Sequence, residues 1–286
     1  VATGGGIGVL DPETSKAKTL GIVFTPRTGP WNGSRVSLAV DYFDIEVKGQ
    51  VTTLGAGNIV FTCFNADDFP NTPECALFTR DLNPNSNRFG QITNVRNPFL
   101  NINRQRNRGV DVTTRFSQDL GRYGSLSTLG QVTFQLEDLF ELFDGVESDS
   151  NGEIGEPKFV GDFSATYALD NWSLFYGLTL IGPVSNEEDL RFSRGGDVCF
   201  ASSLRGGDIC PVSKFKAQAY HNVSLTYDLA KKFTLTAGVS NLLNNKPPRA
   251  GAFSPAGLGT TGQAVTFGTQ YDLVGRRGFV SFRAKL

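Results

Sequence analysis

Four cysteines in two local pairs are the residues of this sequence best suited to covalent chemistry. Cys63 lies close to Cys75, and Cys199 lies close to Cys210, in both cases in loop-like sequence. This short, even spacing predicts two disulfides formed in an oxidising compartment, each stabilising its loop by about 2–3 kcal/mol. A zinc site is disfavoured because the sequence has one histidine, His221, and no Cys-x-x-Cys motif.

The second cysteine pair ends a local repeat, R-G-G-D-V-C at 194–199 and R-G-G-D-I-C at 205–210. A disulfide would hold the two copies together at the tip of a long loop. One interpretation is a ligand or ion contact made by Arg194, Asp197, Arg205 and Asp208. The interpretation we favour is a stapled hairpin that resists extracellular proteolysis. The acids at 187–189, nearby, could attract a cation but are expected to be solvated.

Arg104, Arg106 and Arg108 alternate along the chain, so in a strand they share one face. We expect that face to line the lumen of a barrel. The arginines could guide anionic ligands, or they could pair with acids on neighbouring strands or on a domain inside the lumen. The sequence leaves both options open.

Several other functional classes are disfavoured. There is no nucleophile elbow, P-loop or metalloprotease motif, so we expect no enzymatic activity, cofactor or metal. The net charge is −1 with scattered basic residues, which gives no electrostatic footprint for nucleic acid.

The elements that would carry these residues are strands, because apolar and polar residues alternate with period 2 along most of the chain. We predict about nine strands. They lie around Leu20, Val36, Val110, Val132, 159–169, 172–180, 223–229, 233–239 and the C-terminus.

Connections between these strands alternate between short and long, as in an up-and-down transmembrane barrel with tight periplasmic turns and long external loops. The long ones are 49–95, 144–157, 182–215 and 244–272, and all four cysteines lie in them. Aromatic residues beside the short turns fit a membrane-interface girdle: Tyr123, Tyr167, Trp172, Tyr227 and Phe233.

The final strand has two chemically distinct faces. Val280, Phe282, Ala284 and Leu286 form an apolar face, and the residues between them are polar or cationic. Such a C-terminal strand suits outer-membrane lipid and recognition by the barrel-assembly machinery. We expect it to end in the periplasm, which places the long loops outside a bacterial outer membrane.

Nine strands cannot close a bacterial single-chain barrel, where the number is even, and they leave two edges unpaired in lipid. The sequence also contains no Met. We therefore expect a fragment or processed product, with the missing strands supplied by upstream sequence, an accompanying chain or other copies.

Five segments, in order, resemble TonB-dependent outer-membrane receptors. They are L-D-P-E-T-S at 10–15, V-D-Y-F-D-I at 40–45, N-R-G-V-D at 107–111, A-G-V-S-N-L-L-N at 237–244, and Y-D with G-R-R at 271–277 before the last strand. The terminal Leu286 departs from the family's usual Phe or Trp but keeps the apolar parity.

The resemblance implies an all-β fold in which residues 1–286 are the C-terminal portion of an antiparallel barrel of about 22 strands. Its plug domain and N-terminal strands would lie outside this chain. It also implies active uptake of a scarce ligand, such as a ferric siderophore or another large nutrient, driven by the TonB complex through the plug. The alternatives are a passive porin-like channel and a secreted β-sandwich or adhesin module.

Overall fold

The computed structural model describes residues 10–26, 33–66, 68–142, 147–188, 191, 196–202, 206–210, 212–229, 232–250, 264–265 and 270–284. Among them, nine long strands form an antiparallel up-and-down sheet in which each strand neighbours the next one along the chain. The wall strands are β1 Thr14–Phe24, β2 Ser34–Lys48, β3 Arg104–Asp119, β4 Ser125–Glu141, β5 Phe159–Leu169, β6 Trp172–Ile181, β7 Gln218–Leu229, β8 Phe233–Ser240 and β9 Arg277–Ala284. The predicted fold class is confirmed.

Period-2 alternation gives this sheet one apolar face. The registers place Leu174 opposite Leu225, and Leu225 opposite Ala237 on its other side. Ala237 in turn lies opposite Val280. The apolar row therefore runs from β6 to β9, and its members Leu174, Leu225 and Val280 are all exposed.

The short connections are built by residues that tolerate unusual backbone geometry. Asp170 takes a φ of 50° in the two-residue turn between β5 and β6, a conformation that Asp tolerates better than most residues. The turn before β4 ends at Gly124, where a Cβ would lie 2.1 Å from the carbonyl oxygen of Ala168. No other residue fits that approach without a backbone shift.

The long connections contain the smaller elements, and no helix among the described residues is long and apolar enough to cross a membrane. The helical elements include α1 Ala56–Asn65 and the 3₁₀ turns Pro73–Leu77 and Gly121–Tyr123, the last of these in a short connection. The antiparallel pairs are Val51–Thr53 with Phe99–Asn101, Phe78–Arg80 with Ile92–Val95, Val184–Ser185 with Lys214–Phe215, Phe200–Ser202 with Gly207–Ile209, and Arg249–Ala250 with Ala264–Val265. A further strand, Glu147–Asp149, pairs with β4.

The chain divides into two compact units. The first unit comprises residues 1–18, 44–107 and 138–149, and Leu54, Ile59 and Ile102 form its core. The second unit comprises residues 19–43, 108–137 and 150–286. Its described residues include two small buried clusters, one of Ile181, Tyr220 and Tyr271 and one of Val184 and Phe215.

Candidate functional site

Arg104 and Arg106, in the first unit, are both paired with carboxylates. Nε of Arg104 lies 2.9 Å from Glu141, and its Nη2 lies 2.9 Å from Oε1 of Glu147. Arg106 donates from Nε and Nη2 to the two carboxylate oxygens of Asp44, each at 2.9 Å. This two-point geometry is the strongest form of an arginine–carboxylate contact.

Arg108 lies in the second unit and also forms an ion pair, with Nε 2.7 Å from Oε2 of Glu137. All three predicted arginines therefore have acid partners on neighbouring strands. A role in guiding anionic ligands stays a prediction. The sequence did not identify the acids. The sequence did contain a signal for these acids. Glu137 and Glu141 are four residues apart on β4, and Asp44 lies in the alternating sequence of β2.

The residue after this arginine run is Gly109, and the space around it explains why it is a glycine. A Cβ at this position would lie 2.4 Å from Cζ of Phe43 and 2.7 Å from the carbonyl oxygen of Phe134. Both distances are too short for any side chain. The R-G-V-D segment thus lets the ring of Phe43 lie across β3.

The first predicted disulfide, Cys63–Cys75, is present, with the Cα atoms 4.9 Å apart. Cys63 is fully buried in α1, and Cys75 lies in the 3₁₀ turn that follows. The bond therefore ties the helix to the rest of its loop.

Beside this disulfide is a cluster that we call the loop aromatic patch, consisting of Phe64, Phe69, Phe78 and Arg80. The Arg80 guanidinium carbon lies 5.2 Å from the ring centroid of Phe64 and 5.8 Å from that of Phe78. Phe64 also stacks on Phe69 at 5.0 Å. Phe64 and Phe69 are exposed, so the patch offers rings and one cation to solvent. Sequence reasoning missed it, although the Phe-rich run from 61 to 69 was a usable signal.

The second predicted disulfide, Cys199–Cys210, is also present, with the Cα atoms 4.2 Å apart. It closes the hairpin in which Ala201 pairs with Asp208. Asp197 and Asp208 are exposed, whereas Arg194 and Arg205 lie outside the described residues. A ligand role for these four residues stays a prediction.

Glu187 lies in an ion-pair network and is not merely solvated. It contacts Lys214 and, at 2.8 Å, Nη2 of Arg191. Hydrogen bonds from Lys214 and then Arg191 hold the pKa of Glu187 below its ordinary 4.5. In the described part of the chain, no group of three or more His, Cys, Asp or Glu side chains is arranged to hold a metal.

The terminal strand β9 pairs with β8, and its apolar face carries Val280 and Phe282, both largely exposed. The strand is anchored at its start by Asp272, whose Oδ1 accepts from Nη1 of Arg277 at 2.9 Å. Leu286 lies outside the described residues, so its part in strand recognition stays a prediction.

The aromatic residues beside the short turns contact one another. Trp172 and Tyr227 lie on neighbouring strands with ring centroids 4.3 Å apart, and the hydroxyl of Tyr167 donates to the carbonyl of Tyr123. His221 has a structural partner, since its Nδ1 lies 2.8 Å from the hydroxyl of Tyr176.

An antiparallel meander with an exposed apolar face and alternating short and long connections defines the wall of an outer-membrane type β-barrel. The model of the family described as "TonB dependent receptor-like, beta-barrel" matches residues 2–242. The chain therefore belongs to this family, as the resemblance predicts. Its members are bacterial outer-membrane receptors, not enzymes.

Solved structures share the fold. The chain is similar to a mutant of the ferric enterobactin receptor PfeA from Pseudomonas aeruginosa in complex with enterobactin, with a TM-score of 0.57 at 16% identity, over 96% of this chain and 32% of that one. The siderophore receptor PirA from Acinetobacter baumannii gives a TM-score of 0.52 at 16% identity over 96% and 32% of the two chains. The copper transporter OprC gives a TM-score of 0.50 at 12% identity, over 98% of this chain and 34% of that one.

At these identities the likeness concerns the fold alone. The chain spans about a third of the length of the structures that it matches, and 31% for the G324V mutant of PfeA. No curated protein matches its sequence.

Proposed function

We propose that this chain forms part of the barrel wall and the ligand-facing loops of a TonB-dependent outer-membrane transporter. The observation that carries the proposal is the nine-strand meander, whose long connections all join alternate strand pairs. Membership of the receptor family supports it. The transported ligand would be scarce and large, such as a ferric siderophore or another nutrient too big for a general pore.

The orientation follows from the chemistry of the two ends. The short-turn end carries Trp172, Tyr227 and Phe233, which suit a membrane interface. Both disulfides lie in long connections, and an oxidising exterior would preserve them. The long loops would therefore be extracellular, and β9 would end in the periplasm.

The partners follow from the edges of the sheet. Within the described residues the strand order ends at β1 and β9, and edges in lipid must be paired. We propose that residues 1–286 are the C-terminal portion of the barrel. Further barrel strands and the plug domain would come from upstream sequence or a separate chain. The plug would couple to TonB, the apolar face would contact lipid, and the barrel-assembly machinery would recognise β9.

The ligand class is suggested by the loop aromatic patch. Exposed phenylalanine rings beside Arg80 present apolar faces and a positive charge together. Such a surface suits an aromatic anion. Iron chelates of the ferric enterobactin type are aromatic anions. We propose that the patch makes an early contact with a ligand of that chemistry.

Uptake measurements test the proposal. The gene is deleted and restored in its host, and uptake of ⁵⁵Fe-labelled ferric enterobactin is measured in iron-limited cells with and without TonB. We expect uptake that depends on both the gene and TonB. Uptake that persists without TonB would instead support a passive porin-like channel. A chain that stays monodisperse in detergent-free buffer would contradict the membrane placement.

A further inference from the structure

Two arginines on the polar face of the sheet, unlike Arg104, Arg106 and Arg108, have no acid partner in the described structure. Arg35 is the second residue of β2, and Arg115 lies four residues before the end of β3. Both side chains are exposed. Within the described residues, neither has a hydrogen bond or an ion pair, in contrast to Arg104 and Arg106.

Both arginines line one concave surface of about 550 Å³ in the second unit. Residues with short hydroxyl side chains surround them. These are Ser37, Ser117, Ser127, Ser164 and Thr166. The register of β4 and β5 places Ser127 directly opposite Thr166. Two guanidinium groups are thus set among hydroxyl donors.

The nearby acids already have a role in the turn. Asp119 and Asp170 line the adjoining cavity, which also includes Arg35. Oδ1 of Asp119 accepts from the backbone N–H of Gly121 at 2.8 Å, which fixes the turn after β3. Neither acid lies within ion-pairing distance of Arg35 or Arg115 in the described structure. The concave surface therefore keeps a local positive charge.

The surface lies opposite the apolar face. Arg35 and Ser37 alternate with Val36 and Leu38 on β2, and Arg115 and Ser117 flank Phe116 on β3. If the apolar face meets lipid, this face looks into the lumen close to the short turns.

We propose that Arg35 and Arg115 form a seat for carboxylate side chains of the plug domain, and this inference rests on the proposed function. Carboxylates match the planar donor geometry of guanidinium groups. Short hydroxyl side chains let a polypeptide surface approach closely and donate further hydrogen bonds. The seat lies at the short-turn end, remote from the loops that would meet the ligand first. An acidic plug surface is therefore its occupant, rather than the transported anion.

The test uses the complete receptor that contains this chain, purified and placed in planar phosphatidylcholine bilayers. Conductance in KCl reports whether the lumen is blocked. Arg35→Glu/Arg115→Glu is expected to raise the open-channel conductance at least tenfold over the wild type, because like charges would repel the plug. Arg35→Lys/Arg115→Lys should stay near the wild-type value.

Arg122→Glu is the matched control. Arg122 lies at the same end of the sheet, but it is not among the residues that line the concave surface. Its guanidinium carbon lies 4.7 Å from the ring centroid of Tyr123. It should leave the receptor closed. If the doubly reversed variant does not reach the membrane, Arg35→Gln/Arg115→Gln replaces it, with a smaller rise in conductance expected.

The outcomes separate this inference from the proposed function. Suppose that the wild-type receptor is closed and its uptake depends on TonB. If the charge-reversed or Gln variant is then also closed, the proposed seat is wrong and the proposed transport function still holds. Equal opening of the Arg122→Glu control would also overturn it. A wild type that is open in the bilayer and transports without TonB would overturn both.

Discussion

Nδ2 of Asn241 lies 3.1 Å from Oδ2 of Asp272, and this contact joins the end of β8 to the segment that leads into β9. Asn241 is 1% exposed. Its Nδ2 also donates to the carbonyl of Asn245, and its Oδ1 accepts the backbone N–H of Asn245, both at 2.8 Å. Asn241, the first residue of the N-L-L-N segment that resembles the receptor family, is therefore a buried hydrogen-bond hub that positions the terminal strand.

Replacing Asn241 should loosen this hub. Asn241→Ala removes both hydrogen bonds to Asn245 and the one to Asp272, and it leaves buried polar groups unsatisfied. We expect a loss of about 1–3 kcal/mol in the free energy of unfolding, measured as a lowered thermal midpoint in detergent.

Two controls separate the causes. Asn241 has a φ of 49°, so Asn241→Gly keeps the backbone unstrained, and its loss reports the hydrogen bonds together with the extra backbone entropy of glycine. Leu243→Ala changes an exposed residue of the same turn and should shift stability by less than about 0.5 kcal/mol. An Asn241→Gly variant as stable as the wild type would contradict the role of the hub.

Acidification should weaken the same hub. Burial raises the pKa of Asp272, but hydrogen bonds from Arg277, Gly275, Asn241 and Val274 outweigh it and hold the pKa below its ordinary 3.8. A carboxyl whose pKa is lowered by folding stabilises the fold above its unfolded pKa, and that stability is lost as the pH falls through the folded pKa. The thermal midpoint should therefore fall progressively below about pH 4.

Asp272→Asn supplies the comparison. The variant should be less stable than the wild type at pH 7, and its thermal midpoint should change less between pH 5 and pH 2. Parallel pH profiles for the two proteins would show that Asp272 does not contribute to the acid response.

The strands could be predicted from the sequence, whereas the loop elements could not. Alternation gave β5 its observed bounds, Phe159–Leu169, because each apolar side chain in a wall strand must face the same way. Helix α1 was missed because its I-V-F-T-C-F run is rich in β-branched and aromatic residues. Burial of Ile59 and Cys63 in the core of the first unit overrides that local preference.

The acid partners of the arginines were missed for a different reason. Alternation identifies which residues share a face of a strand but not which residues of the neighbouring strand lie beside them. That requires the register, which depends on turns and bulges distant from Arg106 and Asp44.

The two disulfides should contribute unequally. Cys63 is fully buried in the first unit, whereas Cys199 and Cys210 are exposed on a hairpin. Cys63→Ser/Cys75→Ser should release α1 as well as opening its loop, with a cost of about 2–4 kcal/mol to local stability. Limited proteolysis should then cleave between residues 49 and 103 much faster than in the wild type.

Cys199→Ser/Cys210→Ser is the matched control for that measurement. It should expose its own hairpin to protease without changing cleavage in the 49–103 loop. Equal cleavage of that loop in both variants would mean that the buried disulfide does not stabilise α1.

The Arg106–Asp44 pair should show measurable coupling in a double-mutant cycle. The Asp44 side chain is 12% exposed and the Arg106 side chain 29%, so solvent screens the pair less than it screens a surface pair. We expect a coupling energy of about 1–2 kcal/mol from Arg106→Ala, Asp44→Ala and the double variant. The same cycle on Lys48 and Glu46, which are 3.8 Å apart with Lys48 60% exposed, should give less than about 0.5 kcal/mol.

The fluorescence of Trp172 can report whether its face of β6 meets lipid. The chain has two tryptophans, Trp31 and Trp172, so Trp31→Phe isolates the second. Trp172 is 49% exposed beside Tyr227, and at a membrane interface its emission should be blue-shifted. In liposomes, lipids brominated near the head group should quench it more than lipids brominated near the chain end. Moving the indole by one residue, with Trp31→Phe/Trp172→Phe/Ser173→Trp, turns it to the opposite face and should abolish quenching. Equal quenching at the two positions would contradict a wall with one lipid face.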